Sequence, residues 1–198
     1  MKCFVLSLHR SGTLSTARYL SGLGLKTKHW PVEHDGINLE ELVCNRECDL
    51  NHVVEVLTPV LESFDAIADL PMPILYRELF TRYPAANFIL INRNPKDWVR
   101  SIRAHYAKPS KNTNFRPYAR TLYWNYFSSQ PRRLDDLSDA ELMWMHSQHT
   151  ADVLQFFAQH LPSKLGVFDL YAEDIGNKIA SFLELEATKG YPHLNSLD

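Results

Sequence analysis

The chain alternates short, nearly unbroken apolar runs with longer stretches in which apolar residues recur every three or four positions. The runs begin near Cys3, Lys26, Ala66, Asn87 and Leu165, and each gives way to turn chemistry before a helical rhythm resumes. Solid runs such as Phe4 with Val5 and Leu6, or Phe88 to Ile91, suit strands covered on both faces. Strands separated by helices predict an α/β fold, a three-layer sandwich with a central parallel sheet flanked by helices. Ligands of such folds bind beyond the C-terminal ends of the strands.

The helical rhythm carries its own punctuation. Leu14, Ala17 and Leu20 share one face after the first strand, and Gly22 and Gly24 close that helix. Asn38 with Glu41 predicts a cap for a helix to about Asn45, and residues 53–64 predict another, with Pro59 a kink or boundary. Pro71 and Pro73 introduce a helix through Tyr83, and Asn94 followed by Pro95 caps and opens the helix after the fourth strand. Ser138 with Glu141 forms a capping box for a long helix to about His160; Leu142, Met145, His149, Val153 and Phe156 track its inner face, which makes His149 structural.

A length of 198 residues suits a single domain over 1–198. The net charge of −2 provides no basic excess, so nucleic acid is not an expected partner. The leading apolar run ends within eight residues, and no later stretch approaches a membrane span, so the expected location is cytoplasmic. Cys44, Cys48 and His52 are spaced four apart, but Asp49 to Asn51 reads as a helix break and no fourth ligand is evident, so no metal is expected. Residues 109–133 interleave Lys, Arg, Tyr and Trp. They are read as a substrate lid or a contact between copies in a homo-oligomer, with ordinary core packing the plain alternative.

The chemistry concentrates where the first run stops. His9, Arg10, Ser11, Gly12 and Thr13 stand between strand and helix; Gly12 permits a tight turn, so the amides of Ser11 through Leu14 can converge on an anion at the helix's positive end. Against the nucleotide-hydrolysing template of glycine, four residues, then Gly-Lys-Ser/Thr, Ser7 replaces the first glycine, Thr13 the lysine and Leu14 the magnesium-binding hydroxyl. The anion cradle survives without the metal chemistry. A second cluster, Arg93-Asn94-Pro95-Lys96-Asp97, follows the fourth strand directly, and Ser101 lies eight residues after Arg93, two turns into the next helix. A guanidinium fork and a hydroxyl so placed can meet on one oxyanion.

Together, the Arg10 to Thr13 turn and the Arg93 to Asp97 cluster resemble the sulfotransferases that use 3′-phosphoadenosine 5′-phosphosulfate (PAPS). The resemblance implies in-line transfer of a sulfuryl group to a hydroxyl or amine of a small-molecule or glycan acceptor, releasing 3′-phosphoadenosine 5′-phosphate (PAP). It assigns Arg10, Ser11, Gly12, Thr13, Leu14 and Ser15 to the 5′-phosphosulfate and Arg93 with Ser101 to the 3′-phosphate. Lys189, in a terminal Thr-Lys-Gly, matches a residue that closes on that phosphate, and the segment from Tyr171 matches one that contacts adenine. Where cytosolic members carry a catalytic histidine before Leu-Pro, this chain has Asp69 before Leu70 and Pro71. Asp69 is therefore an expected base or acceptor-orienting ligand, with Glu33 and His34 as alternatives and helix capping as the plain reading. Proximity to Arg10 would lower the Asp69 pKa and weaken it as a base. Arginine at position 10, where cytosolic relatives have lysine, would act by charge rather than by proton donation. His29 is expected at the cleft edge as a surface or capping residue. A P-loop nucleotide kinase and a non-catalytic nucleotide-binding or scaffold protein on the same fold are the rival readings.

Overall fold

The computed structural model describes residues 1–31, 33–38, 49–107, 136–187 and 190–194. Five parallel strands form the sheet: β1 (Cys3–Val5), β2 (Thr27–His29), β5 (Ala66–Ala68), β6 (Asn87–Asn92) and β7 (Leu165–Asp169), in the order β2-β5-β1-β6-β7. β1 is central, pairing Cys3 with Ala66 on one side and with Asn87 on the other. A separate antiparallel pair joins β3 (Glu33–His34) to β4 (Ile37–Asn38). Asn38 ends that hairpin, and the helix predicted after it, to about Asn45, lies outside the described residues; Gly36, at φ 76, turns the hairpin where a side chain would be strained.

Each face of the sheet buries its own apolar layer. Phe4, Leu6, Ile67, Phe88 and Leu90 point into one with α2 (Leu50–Ser63), α3 (Tyr76–Arg82), α4 (Pro95–Ala107) and α5 (Asp139–His160). Cys3, Val5, Ala66, Ile89 and Ile91 point into the other with α1 (Thr13–Gly22) and α6 (Ile175–Phe182). The alternation of successive strand residues between layers is why these runs read as solidly apolar in sequence. The expected three-layer sandwich is present.

Element boundaries follow local chemistry. The break expected at Asp49 to Asn51 falls at Asp49, whose backbone is extended; its side chain accepts from the Asn51 amide and caps α2, which starts at Leu50 and passes through Pro59. α3 starts at Tyr76, later than Pro71 and Pro73 suggest, because residues 70–74 are used in successive turns. The Ser138–Glu141 capping box and the Asn94 cap of α4 are both formed. His149 is buried as expected, its Nε2 2.7 Å from the Leu6 carbonyl.

The topology places a crevice. β1 and β6 are neighbours, yet β1 leads to α1 on one face and β6 to α4 on the other, so the segments leaving them diverge. That is the switch point at which open α/β sheets bind ligands, and both clusters singled out in the sequence stand there. Cys44, Cys48, residues 109–133 and Lys189 lie outside the described residues.

Candidate functional site

The phosphate-loop backbone is held with its carbonyls turned back into the protein. The Ser11 amide donates to the Leu8 carbonyl at 3.1 Å, the Trp98 indole to the His9 carbonyl at 2.8 Å, and Arg93 Nη1 to the Arg10 carbonyl. The Gly12 carbonyl accepts from Thr16, both from its amide at 2.9 Å and from its hydroxyl at 3.0 Å. These bonds satisfy the loop carbonyls and use the Ser11 amide, so the amides that can face the crevice are those that open α1, from Gly12 to Leu14. α1 begins after Gly12 with no side-chain cap and no acidic residue of its own in its first turn, so its leading amides have no side-chain acceptor from the helix itself.

Arg10 and Gly12 are both left-handed, with φ of 66° and 83°. A Cβ on Gly12 would stand 2.5 Å from Leu170 Cδ1, so both the turn and the packing beneath it require glycine. Gly12→Ala is therefore expected to destabilise the protein by roughly 2–4 kcal/mol and to lower its melting temperature by at least about 5 °C in a thermal scan.

Ser7, which takes the place of the template's first glycine, has a structural use. Its buried hydroxyl accepts from the Ile91 amide at 2.7 Å and pins β1 to β6 beneath the loop. Nothing in the sequence alone indicates that bond.

The two arginines come together. Arg10 Nε donates to Ser101 Oγ at 3.1 Å, while Arg93 reaches back to the Arg10 carbonyl. Burial, then the Arg93 charge, pull the Arg10 pKa below its ordinary value, with Asp69 acting in the opposite sense. Ser101 is thus engaged by Arg10 here instead of pairing with Arg93. Arg93 Nε and the Ser11 hydroxyl are buried polar atoms with no partner among the described residues. Arg93 also lies 6.0 Å from the centre of the Tyr171 ring, which is 57% exposed and offers a flat face at the crevice edge. Ser15 Oγ accepts from the Leu194 amide at 2.9 Å, and Tyr191 Oη lies 2.8 Å from Thr16 Oγ1, so the C-terminal segment packs on the first turns of α1.

A third group sits on the opposite wall. Asp69, at the end of β5 with φ 74°, accepts from Thr13 Oγ1 at 3.0 Å and from the Leu70 amide at 2.7 Å. His29 Nε2, at the end of β2, lies 3.0 Å from Asp69 Oδ2 and 3.3 Å from Thr13 Oγ1. Burial alone would push the Asp69 carboxyl up; the His29 hydrogen bond and charge, the field of His9 and the Leu70 amide outweigh it and hold the pKa below the usual range. The main depressing partner is His29 and not the expected Arg10.

His29 is a site residue that sequence reasoning set aside as a surface or capping group. The available signal was its position, a titratable side chain at the C-terminal end of a strand, but only the pairing of β2 with β5 puts it beside Asp69. His34 instead lies 3.4 Å from both Asp35 Oδ2 and Ser63 Oγ, and Glu33 is exposed, so neither alternative base is tied to the phosphate loop. Leu14 follows Thr13 in the first turn of α1. His52 lies 3.7 Å from Glu55, and no cluster of three metal-ligating side chains occurs among the described residues. Among the same residues no helix is long and apolar enough to cross a membrane.

The chain is 23% identical over 217 residues to the Ava biosynthesis cluster protein M of Aspergillus versicolor, covering all of this chain and 82% of that protein. The shikimate kinase of Bacteroides thetaiotaomicron superposes with a TM-score of 0.58 at 18% identity, covering 93% of this chain and 99% of the kinase, a likeness of fold. A mouse sulfotransferase complexed with PAP aligns with a TM-score of 0.45 at 13% identity over 95% of this chain and 61% of that one. A family model described as a sulfotransferase domain matches residues 2–198. With nearly every residue inside that match, the chain belongs to the sulfotransferase domain family.

Proposed function

We propose that this protein transfers a sulfuryl group from PAPS to a hydroxyl or amine of a small-molecule or glycan acceptor. The observation that carries the reading is the meeting of Arg10, Arg93 and Ser101 in one crevice at the uncapped N-terminus of α1. The donor set fits a bisphosphorylated adenosine. The Ser11 hydroxyl and Arg93 Nε are buried and unpartnered among the described residues, and among those residues Asp69 is the carboxylate whose charge reaches Arg10 against the Arg93 charge. Phosphate oxygens are the acceptors such donors take.

PAPS supplies an activated sulfuryl group on a phosphate leaving group. Arg10, with the Gly12, Thr13 and Leu14 amides and the Ser11 and Ser15 hydroxyls, holds the 5′ end, while the Thr13 hydroxyl donates to Asp69 behind it. Arg93 and Ser101 hold the 3′-phosphate, and Lys189 is assigned to the same phosphate. Arg10 stabilises developing charge on the departing phosphate without giving up a proton, since a guanidinium stays charged at any working pH. Tyr171 provides the adenine edge. Asp69 lies where the acceptor must enter, and most of the acceleration would come from alignment and fixed charge.

Two measurements test this. Calorimetry should show PAP binding in preference to ATP with magnesium, and sulfate label should pass from labelled PAPS to an acceptor in a panel of cell extracts. Preference for magnesium-ATP would select a nucleotide kinase instead. PAP binding with no transfer to any acceptor would select a nucleotide-binding protein without turnover.

A further inference from the structure

We infer that His29 is the proton acceptor of the transfer and that Asp69 is the residue that positions it. This rests on the sulfuryl-transfer reading above and departs from it by moving the base off the residue that the chain's Asp-Leu-Pro would nominate.

Both Asp69 oxygens are already in use. Oδ1 accepts from the Leu70 amide at 2.7 Å, while Oδ2 accepts from Thr13 at 3.0 Å and faces His29 Nε2 at 3.0 Å. A proton placed on this carboxylate would disrupt those contacts, and its side chain is only 12% exposed. The His29 side chain is 26% exposed, and the contacts it makes to Asp69 and Thr13 are all through Nε2. Nδ1 is then the ring nitrogen left to take a proton, with the carboxylate behind Nε2 stabilising the imidazolium that results. Thr13 is the first residue of α1, so the pair is tied by one hydroxyl to the loop assigned to the phosphosulfate. Among the described residues, the other charged or titratable groups whose fields reach the pair are His9 and Arg10, both from the segment after β1.

In the transfer, the acceptor O–H bond breaks as its oxygen bonds to sulfur, and the proton passes to His29 Nδ1. The sulfur–oxygen bond to the phosphate breaks, and its electron pair stays on the phosphate oxygen beside Arg10. No further reactant is needed.

His29→Gln in the full chain should leave PAP affinity by calorimetry within about threefold of the parent. It should lower kcat for sulfation of 2-naphthol by about 100-fold or more and abolish the slope-one acidic limb of the kcat/KM profile. Asp69→Asn should lower kcat less than His29→Gln does, with PAP affinity kept, and should change the His29 ring-nitrogen resonances of the unliganded protein, where the carboxylate no longer faces Nε2, a readout that needs no acceptor. Unchanged His29 ring-nitrogen resonances in Asp69→Asn overturn the pairing. A His29→Gln enzyme that keeps its kcat and acidic limb, with PAP still bound, overturns the assignment and leaves the donor site intact. Failure of the parent protein to bind PAP would instead strike the function proposed above.

Discussion

Acidification from pH 6.5 toward pH 4 is expected to remove much of this protein's stability, through histidines buried in their neutral form. His146 and His149 are 4% and 1% exposed. Burial first, then the charges of His149 and Arg93, push His146 down to about 4. Burial pushes His149 to about 4 as well, against the opposing Leu6 carbonyl and Asp152. His9 is driven to about 4 mainly by burial, although Asp69 works in the other direction.

The sign follows from where each proton binds first. A folded pKa below the ordinary imidazole value of 6.5 means that the unfolded chain takes up the proton before the fold does. The stability is fully present above that value and drains away as pH falls toward the folded pKa. Asp69, also depressed, adds to the loss further down, since its contribution is present above its unfolded pKa and disappears as pH drops through the folded one. Three such histidines give a slope approaching about 4 kcal/mol per pH unit, against a whole-domain stability of roughly 5–15 kcal/mol. Urea unfolding at a series of pH values measures that slope directly. His149→Gln, whose amide can still donate to the Leu6 carbonyl, should reduce it by about a third. A flat profile between pH 6.5 and 4.5 would show that these rings are solvated.

What could be read from the sequence divides along the range of the forces involved. Strands β1 and β6 were legible because burial on both faces makes an apolar run unbroken, and α5 because Ser138 and Glu141 bond each other across three residues. The turn at Gly12 was legible for the same reason, since a tight left-handed turn before a helix is a local demand. His29 was missed because its partner Asp69 is forty residues away and is brought near only by β2 pairing with β5. The use of Ser101 by Arg10, and of Ser7 by Ile91, are likewise products of strand order, which no spacing rule contains.

Replacing Arg93 should reveal the donor site most sharply, because the same side chain is a liability without a ligand and an anchor with one. Its Nε is buried and unpartnered among the described residues, and its charge sits close enough to pull the Arg10 pKa down. Two guanidinium groups crowded at a helix's positive end repel each other and the dipole alike, so the unliganded protein carries an electrostatic cost that an anion relieves. Arg93→Ala is therefore expected to weaken PAP binding by about 10- to 150-fold, the equivalent of a charge-assisted contact of ~1.5–3 kcal/mol. Its melting temperature without ligand should stay level or rise, which separates lost recognition from lost folding. Arg10→Ala should bind PAP more weakly too, but its larger effect falls on kcat, by about 10²- to 10³-fold, since its charge faces the departing phosphate. The double variant should fall short of the product of the two, because Arg93 also holds the Arg10 carbonyl and so helps to aim the Arg10 side chain at its place beside Ser101. In the parent, PAP at 100 times its Kd should stabilise by about 2.7 kcal/mol, or roughly 5–10 °C in a thermal scan, and Arg93→Ala at the same concentration should lose most of that shift. Undiminished affinity and an unchanged thermal shift in Arg93→Ala would mean that the two arginines meet for structural reasons and that the anion site lies elsewhere.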